Sequence, residues 1–382
     1  MILLGAAACL TWLYLLFRTA SGAGPWPAQS ISPTHSVTAI IPARNEALVV
    51  AQSVSSLAAQ CYPAAFHIVL VDDHSTDATA AIARRSATPE QLTVIQAAPL
   101  PPGWTGKLWA LSQGIHHARA PDYLLLTDAD IVHPPDNVSS LITRAETGYD
   151  LVSYMAKLQC RSLPERALIP AFVFFFFLLY PPAWIRDPRR KTAGAAGGCI
   201  LIRREALERI GGIAAIRGEL IDDCALARAV KRAGGRIWLG LSEDTRSIRD
   251  YATFGEIGRM ISRTAFTQLR YSALLLAGTI LGLAFTFWLP VALTAAAQPL
   301  GIIAWLLMSV AYWPTLRFYD RSPLWAPLLP LIAAFYMACT IHSAIQYWRG
   351  SGGQWKGRAQ AGNMGSTQRR RDAEKTSSCP PR

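Results

Sequence analysis

The sequence predicts an α/β domain that apolar segments attach to a membrane. Short apolar runs of strand length alternate with helical segments between residues 37 and 127, and charged residues make up only 16% of the 382 residues. Long stretches near the C-terminus carry no charge at all. Because strands that alternate with helices form parallel βαβ units, ligands should bind at the carboxyl ends of the strands.

The first apolar segment is short for a membrane span. Residues 1–17 carry no charge and are followed by Arg18, whereas a spanning helix needs about 20 apolar residues. A cleaved signal peptide is one interpretation, with the small residues 21–24 as the cleavage region. No basic residue precedes the apolar stretch, so we favour a retained transmembrane anchor over residues 1–18.

The soluble domain is predicted to span residues 36–265, and its first half gives the clearest pattern. The first predicted strand is stopped by Pro42, and carboxylates follow the second and the fourth. The predicted strands are 37–41, 68–71, 92–95 and 123–127, and the helices between them are 45–59, 76–85 and 107–118. Polar residues therefore gather on one edge of one sheet.

Two carboxylates, Asp128 and Asp130, follow the fourth strand one residue apart. If the strand continues through them, alternation places both on one side, where they repel each other unless a cation lies between them. Mg²⁺ or Mn²⁺ prefers such oxygen ligands. His133 is either a third ligand or a surface histidine in the turn before Pro134, and the alternative for the carboxylate pair is a solvated strand end.

Further apolar segments are predicted at residues 169–185 and 271–348. The uncharged runs 271–316 and 322–348 exceed the length of a span and predict a C-terminal transmembrane region. Segment 169–185 is short, aromatic and interrupted by prolines, so it is either an interfacial helix or a buried core helix. Residues 349–382 form a basic tail that we expect to be disordered.

The formal net charge is +12, and many basic residues lie next to apolar segments. This favours an anionic membrane surface over nucleic acid as a partner, with a solvated face and tail as the alternative. The seven cysteines contain no C-x-x-C pair and are odd in number, so neither a zinc site nor a disulfide framework is predicted. A reduced, cytosolic setting for the domain is the simpler interpretation.

Four motifs in order resemble family 2 glycosyltransferases, which have the GT-A (Rossmann-like) nucleotide-sugar-binding fold. They are IIPARNE at 40–46, VDDHSTD at 71–77, Gly106-Lys107 and TDAD at 127–130. A wider set, covering most of residues 37–280, resembles the hopene-associated branch of that family. It comprises GWTGK at 103–107, PAFV at 170–173, GGC at 197–199, IDDC at 221–224 and RTAF at 263–266.

The resemblance implies a role for each motif. Asp128 and Asp130 would hold a divalent metal, Mg²⁺ or Mn²⁺, on the donor diphosphate. Asp223 would be the general base for the acceptor, with Asp222 as its acidic neighbour, although adjacent carboxylates also stabilise any helix N-terminus. The remaining nucleotide-sugar contacts implied by the resemblance are Pro42, Arg44, Glu46, Asp72, Asp73, Lys107, Gly198 and Arg270.

Several of these contacts have structural alternatives. Asp72 or Asp73 can cap the next helix together with Ser75, and Lys107 can be an exposed lysine. Arg44 and Glu46 either touch the nucleotide or cap the helix that follows. Gly198 would let the backbone approach the donor sugar.

Processive relatives carry Gln-x-x-Arg-Trp before the next membrane segment, whereas this chain has Thr267 and Tyr271 in place of Gln and Trp. Arg270 is retained. The resemblance with this departure predicts an inverting enzyme that moves one sugar from a UDP-sugar to a lipid hydroxyl, with a hopanoid as the acceptor suggested by the branch. The alternatives are a processive polysaccharide synthase and an inactive lipid-binding scaffold.

The expected location is the bacterial inner membrane, with several spans and a cytosolic catalytic domain. Three simple spans after residue 271 would place the Arg-rich tail outside, against the positive-inside tendency. Either one apolar run is re-entrant or the tail breaks that rule, and we favour the re-entrant run.

Overall fold

The computed structural model of the protein describes residues 1–20, 34–350, 354–355 and 358–359. The proposed cleavage region at 21–24 and most of the basic tail at 349–382 lie outside the described residues.

An eight-stranded mixed sheet forms the centre of the domain, with strand order β3-β2-β1-β4-β7-β6-β8-β5. Strands β1 to β4 are parallel, β7 runs antiparallel to both β4 and β6, β8 is parallel to β6, and β5 is antiparallel to β8. The strands are β1 Val37–Ala43, β2 Phe66–Asp72, β3 Leu92–Gln96, β4 Tyr123–Thr127, β5 Ile131–Val132, β6 Leu151–Lys157, β7 Cys199–Arg203 and β8 Ile237–Ser247. The first four match the predicted strands to within two residues.

Helices cover both faces of the sheet and continue into an apolar bundle. The helices are α1 Ile2–Ala20, α2 Val50–Ala58, α3 Thr79–Arg85, α4 Gly106–His117, α5 Asn137–Glu146, α6 Leu163–Leu179, α7 Pro182–Arg186, α8 Arg204–Arg209, α9 Asp222–Arg232, α10 Phe254–Ser262, α11 Ala265–Gln268, α12 Ala273–Leu283, α13 Leu289–Ala295, α14 Pro299–Phe318 and α15 Leu329–Trp348. Short 3₁₀ segments occur at Ile213–Ile216 and Pro323–Leu328, and a π-helical turn at Ala284–Trp288 joins α12 to α13. A two-stranded antiparallel pair follows α15, formed by β9 Gln354–Trp355 and β10 Arg358–Ala359.

The helix predicted from residue 45 begins only at Val50. The intervening residues form a loop that is hydrogen-bonded to the loop after β2: Asn45 N donates to Ser75 Oγ, and Thr76 N donates to Asn45 Oδ1. Asn45 has φ +53°, a left-handed conformation that ends regular structure. Hydrogen bonds between the two loops therefore replace the first helical turn.

Alternate residues of β1 pack on the two faces of the sheet. Ala39 and Ile41 belong to one core, with residues of α2, α3 and α5, whereas Ile40 belongs to the core on the other face. That second core extends without interruption into α1, α14 and α15. This face of the sheet and the apolar helices thus share one hydrophobic core.

Among the described residues, four helical segments are long and apolar enough to cross a membrane: Leu163–Arg186, Ala273–Ala295, Pro299–Phe318 and Pro323–Trp348. Helix α1 is shorter and packs along α14, where Gly5 lies against Leu300. Trp12 of α1 is fully buried, and its Nε1 donates to the Thr286 carbonyl at 2.8 Å.

The segment Leu163–Arg186 begins and ends on the same side of any membrane. It connects β6 to β7, and these two strands pair directly in the sheet. Because a crossing would place two paired strands on opposite sides, the segment does not span. It packs on the apolar helices through Phe174 against Tyr312 and Phe175 against Tyr336, while Leu179 remains exposed.

Candidate active site

The Asp-x-Asp motif lies in a turn and not on a strand. Strand β4 ends at Thr127, and residues 128–130 form the connection to β5. Burial raises the pKa of Asp128, the Lys107 ammonium opposes this, and the charges of Asp130 and Asp222 raise the pKa further. The charges of the two motif carboxylates thus act on each other. The alternation along a strand that we expected is not what brings them together, because β4 ends before them.

Lys107 lies in the first turn of α4, between two carboxylates. The Thr105 hydroxyl caps this helix by accepting from Leu108 N, which fixes where the lysine emerges. Lys107 Nζ lies 2.9 Å from Asp128 Oδ1 and 3.0 Å from Asp222 Oδ2. Burial alone would lower the pKa of Lys107, but these carboxylates outweigh it and raise the pKa, so the ammonium stays charged. An exposed surface lysine is therefore not what the structure shows.

Asp222 and Asp223 begin α9, where the helix dipole favours negative charge. Asp223 Oδ2 accepts from Gly197 N at 2.9 Å, and Oδ1 accepts from Cys224 N at 2.6 Å. Burial and the neighbouring Asp222 charge raise the pKa of Asp223 to about 6, against the lowering effects of Lys107 and the two N–H donors. A carboxyl with that pKa is ionised near neutral pH and basic enough to take a proton.

We refer to Lys107, Asp128, Asp222 and Asp223 as the Lys107 cluster. Its side chains remain accessible, with Lys107 18%, Asp222 20% and Asp128 34% exposed. They lie on the wall of a cavity whose other lining residues are Pro42, Leu108, Leu111, Leu126, Thr127, Gly197, Ile200, Ile213, Ile216 and Leu226. Three carboxyl groups and one ammonium thus line one cavity together with apolar side chains.

Gly197, and not the predicted Gly198, faces this cavity. A Cβ on Gly197 would lie 3.3 Å from Lys107 Nζ and 3.4 Å from Asp223 Oδ2. A Cβ on Gly198 would instead meet the Ile131 side chain at 2.9 Å. Gly198 therefore allows close packing of strands, while its neighbour leaves room beside the carboxylates.

A second ionic group, which the sequence did not suggest, holds Asp130. Arg249 Nε donates to Asp130 Oδ2 at 2.9 Å, and Arg249 Nη2 contacts both carboxylate oxygens of Glu46 at 2.9 Å. The Ser247 hydroxyl also donates to Asp130 Oδ2. We refer to Glu46, Asp130, Ser247 and Arg249 as the Arg249 cluster. Arg249 lies 119 residues after Asp130, and no local pattern marks it.

Glu46 thus contacts Arg249 and does not cap α2 through its side chain. Burial lowers the pKa of Arg249, but the charges of Asp130 and Glu46 outweigh this and raise it. The Arg249 cluster ties the loop after β1 to the turn after β4.

Asp72 and Asp73 lie buried at the end of β2, beside Arg44. The Arg44 guanidinium donates to the Asp73 carbonyl and lies 3.7 Å from its carboxylate. Asp72 Oδ2 accepts from Ser75 N, whereas the buried Asp72 Oδ1 has no hydrogen-bond partner among the described residues. Helix α3 starts later, at Thr79, where Asp77 accepts from the Thr79 amide. The carboxylates after β2 therefore do not cap that helix.

His133 is buried, with both ring nitrogens in hydrogen bonds, and is not a surface histidine. Nε2 contacts the Thr127 hydroxyl at 2.9 Å, and Nδ1 lies 2.9 Å from Asn137 Nδ2. The Thr127 hydroxyl donates to the Gly198 carbonyl, so the network ties β4 to β7. Burial lowers the pKa of His133 to about 3, and the ring is neutral. Metal ligation by His133 would require one of these hydrogen bonds to break.

Arg270 lies apart from both clusters. It is exposed, has φ +50°, and its side chain makes no hydrogen bond or ion pair within the described part of the chain. The preceding helix is held in place, because Gln268 Nε2 donates to the Tyr180 hydroxyl. The predicted contact between Arg270 and a diphosphate stays a prediction.

The Asp-x-Asp turn offers a hard cation the right donor type. Across the described residues, no group of three or more His, Cys, Asp or Glu side chains is arranged around one point. Asp128 Oδ2 and Asp130 Oδ1 nevertheless accept no hydrogen bond from the residues that the structure describes. Two carboxylate oxygens, completed by diphosphate oxygens and water, suit Mg²⁺ or Mn²⁺. The residues present therefore fit a metal that is shared with a ligand.

Comparison with known proteins finds a family match for part of the chain. Residues 38–211 match the model of glycosyl transferase family 2. Undecaprenyl-phosphate 4-deoxy-4-formamido-L-arabinose transferase of Pseudomonas fluorescens is 34% identical over 122 residues, which cover 31% of this chain and 35% of that protein. The protein of the same name from Edwardsiella ictaluri is 32% identical over 118 residues, 30% of this chain and 35% of its own length. The match thus spans about a third of the length of these curated relatives.

A solved structure resembles a larger part of the chain. The mannosyltransferase PcManGT from Pyrobaculum calidifontis, in complex with GDP-Man and Mn²⁺, is 21% identical, with a TM-score of 0.56. The similarity covers 90% of this chain and 97% of that one. It confirms the predicted GT-A fold with its added apolar helices. Residues 38–211 of the chain are a family 2 glycosyltransferase domain.

Proposed function

We propose that the protein is a membrane-bound inverting glycosyltransferase that moves one sugar from a UDP-sugar to the hydroxyl of a lipid. The observation that carries this proposal is Asp223, a half-buried carboxyl with a pKa of about 6 that lines the same cavity as Lys107 and Asp128. A base for the acceptor and charged groups suited to a diphosphate thus share one cavity.

In the proposed reaction, Asp223 takes the proton of the acceptor hydroxyl as its oxygen attacks the anomeric carbon of the donor. The bond from that carbon to the diphosphate breaks, and the nucleoside diphosphate leaves with the electron pair. A single displacement of this kind inverts the anomeric centre. The N–H groups of Gly197 and Cys224 hold both carboxylate oxygens of Asp223 and fix its direction.

Lys107 is placed to meet the negative charge that develops on the leaving diphosphate. Asp72 and Asp73 at the end of β2, with Arg44 from the loop after β1, would hold the base and ribose. Asp72 Oδ1, which has no hydrogen-bond partner among the described residues, is an acceptor suited to a hydroxyl or N–H group. Asp128 and Asp130 would hold a divalent metal. When bound, that metal supplies Lewis-acid neutralisation of the diphosphate.

The acceptor side of the domain rests on the apolar helices, which supports a lipid acceptor. Ser262 of α10 donates to the Cys339 carbonyl of α15, and the Phe266 amide of α11 donates to the Ser343 hydroxyl. The aromatic segment that ends before Tyr180 lies near Asp223. Tyr180 contacts Cys224, which is the residue after Asp223. A lipid in the membrane would therefore approach the base from this side.

A lipid phosphate is a second candidate acceptor, because the curated relatives are named as undecaprenyl-phosphate transferases. The Lys107 cluster favours the hydroxyl. A phosphate that is already ionised needs no general base, whereas a hydroxyl does, and Asp223 supplies one. A hopanoid alcohol as the acceptor rests on the resemblance of the motifs alone.

We place the enzyme in the bacterial inner membrane with the domain in the cytosol. Because Leu163–Arg186 returns to its own sheet, it is proposed as an interfacial segment, with α1 as an anchor. The three C-terminal apolar segments remain, and the re-entrant run that we favour is the one broken by the π-helical turn and Pro290. Replacement of the Gln and Trp of processive enzymes supports single transfer over polymer synthesis.

Transfer of label into lipid tests the proposal. The purified full chain in lipid nanodiscs is supplied with Mn²⁺ or Mg²⁺, extracted bacterial lipids and one radiolabelled UDP-sugar at a time, with GDP-mannose as a further donor. We expect one labelled glycolipid that survives mild acid, as a glycoside does. A product cleaved by mild acid would indicate a glycosyl phosphate, and long polymer would indicate a processive enzyme.

Asp223→Asn should lower this transfer by at least about 100-fold, because a general base typically contributes 10²–10⁴. The matched control is Asp244→Asn, since the Asp244 side chain is 74% exposed and its one ion pair within the described residues is with Arg246. Full activity of Asp223→Asn would contradict the base assignment. Lack of transfer from every donor, with the protein folded, would favour the inactive scaffold.

A further inference from the structure

Each carboxylate of the Asp-x-Asp turn has its own cationic side chain. Lys107 Nζ lies 2.9 Å from Asp128, and Arg249 Nε lies 2.9 Å from Asp130. The two cations come from different elements, the start of α4 and the residues after β8. The two carboxylates that would hold a metal are thus each already paired with a cation of the chain.

The two cations differ in how firmly they are held. Arg249 is fixed on its other side by two contacts with Glu46, whose side chain is only 10% exposed. Lys107 is divided between Asp128 and Asp222, on a flexible stem with three donors. An incoming diphosphate can attract Lys107 away from Asp128, whereas Arg249 is held in place.

We propose that Lys107 and Arg249 are resident counter-ions of Asp128 and Asp130, so that a divalent metal binds weakly to the free enzyme and enters together with the nucleoside diphosphate. The inference rests on the proposed function, because it assumes that the cavity accepts a nucleotide. Its physical reason is charge: each cation lowers the negative potential that the metal meets, and the diphosphate restores that potential.

Metal binding without turnover tests this. Mn²⁺ is titrated into the full chain in nanodiscs without nucleotide, and free Mn²⁺ is followed by electron paramagnetic resonance. Arg249→Gln removes the fixed cation and should tighten binding of Mn²⁺ alone by about tenfold, which corresponds to about 1.4 kcal/mol. Unchanged or weaker Mn²⁺ binding by this variant would overturn the proposal.

Arg246→Gln is the matched control, because it removes the same charge from a position three residues earlier, in β8. The Arg246 side chain is 59% exposed, and its contacts are to Asp244 and the Glu243 carbonyl. We expect it to bind Mn²⁺ as the unmodified chain does. Equal tightening in Arg246→Gln would show a general charge effect and overturn the specific role of Arg249.

A second variant covers the case in which Arg249→Gln fails to fold. Lys107→Met should also tighten binding of Mn²⁺ alone, yet weaken binding of UDP in the presence of Mn²⁺. A purely structural role would lower the melting temperature without strengthening metal binding. Loss of Mn²⁺ affinity in Lys107→Met would contradict the proposal.

Titration of UDP and GDP with Mn²⁺ separates this inference from the proposed function. If neither nucleotide binds the unmodified chain, the proposed donor site is wrong and the inference falls with it. If a nucleotide binds with Mn²⁺ while Arg249→Gln leaves the affinity for Mn²⁺ alone unchanged, only the inference fails.

Discussion

The Lys107 cluster and the Arg249 cluster use the same residue types for different ends. The Lys107 cluster has three carboxyl groups for one cation and lines a cavity, and its Asp223 has a raised pKa. The Arg249 cluster has two carboxylates for one guanidinium, joined by three nitrogen–oxygen contacts of 2.9 Å. A raised carboxyl pKa beside a cavity suits chemistry, whereas a guanidinium held between two carboxylates in fixed geometry suits support of a loop.

The Asp-x-Asp motif is divided between the Lys107 cluster and the Arg249 cluster. Asp128 belongs to the Lys107 cluster and Asp130 to the Arg249 cluster, although a single residue separates them. The turn after β4 is therefore held from one side by α4 and from the other by the end of β8. We expect substitutions in the first cluster to change catalysis and substitutions in the second to change stability.

The largest effect is expected for Lys107→Met, which leaves three carboxyl groups without their cation. We expect kcat/KM for the donor to fall by about 10²–10³, the range seen when one charge-stabilising group is removed. Steady-state kinetics on a labelled donor measure it. Lys157→Met is the control, since Lys157 pairs with the exposed Asp320. Equal losses of kcat/KM in both variants would show that the lysine in the cavity contributes no more to catalysis than Lys157.

A smaller effect is expected in the pH dependence. Asp223 must be ionised to act as a base, so with a pKa of about 6 the activity should fall as the pH drops below 6. Burial and the Asp222 charge raise this pKa, so Asp222→Asn should lower it and move the acid limb to lower pH. We expect a shift of up to about one unit in the kcat/KM profile. A limb that stays in place or moves to higher pH would mean that Asp222 does not act on the base.

The smallest effects are expected in stability, measured as the melting temperature. Glu46→Gln breaks the buried pair with Arg249 and should cost about 1–3 kcal/mol, seen as a drop of a few degrees. Glu208→Gln removes an exposed i,i+4 pair with Arg204, and we expect a change of at most about 0.5 kcal/mol. Glu46→Gln should leave the pH limb near 6 unchanged. If Glu46→Gln also shifted the acid limb of the pH profile, the two clusters would act as one functional unit.

The sequence predicted the first half of the domain well. Apolar runs of four or five residues ending at Pro42, Asp72 and Asp128 can be recognised locally, and parallel βαβ units place those ends on one edge. It predicted less of the second half, where β7 runs antiparallel and β5 has only two residues. The prediction that strand geometry places Asp128 and Asp130 on the same side was wrong in its reason, because β4 ends before them.

Arg249 and the surroundings of His133 could not be predicted from the sequence. Arg249 reaches Glu46 across 203 residues, and an arginine after a strand has no pattern of its own. His133 follows the motif by three residues in the sequence, but its two hydrogen-bond partners come from β4 and α5. Such contacts depend on how the sheet brings distant segments together.

The sequence by itself determined which chemical groups the site contains: the Asp-x-Asp pair, Lys107 and the Asp222-Asp223 pair. Residue type and local spacing fix which groups follow a strand and which begin a helix. The tertiary structure decided how these groups share charge. Folding places Lys107 between Asp128 and Asp222, buries Asp223 enough to raise its pKa, and gives Asp130 a separate counter-ion in Arg249. Charge interactions depend on distance through space, and only the packed sheet and helices set that distance.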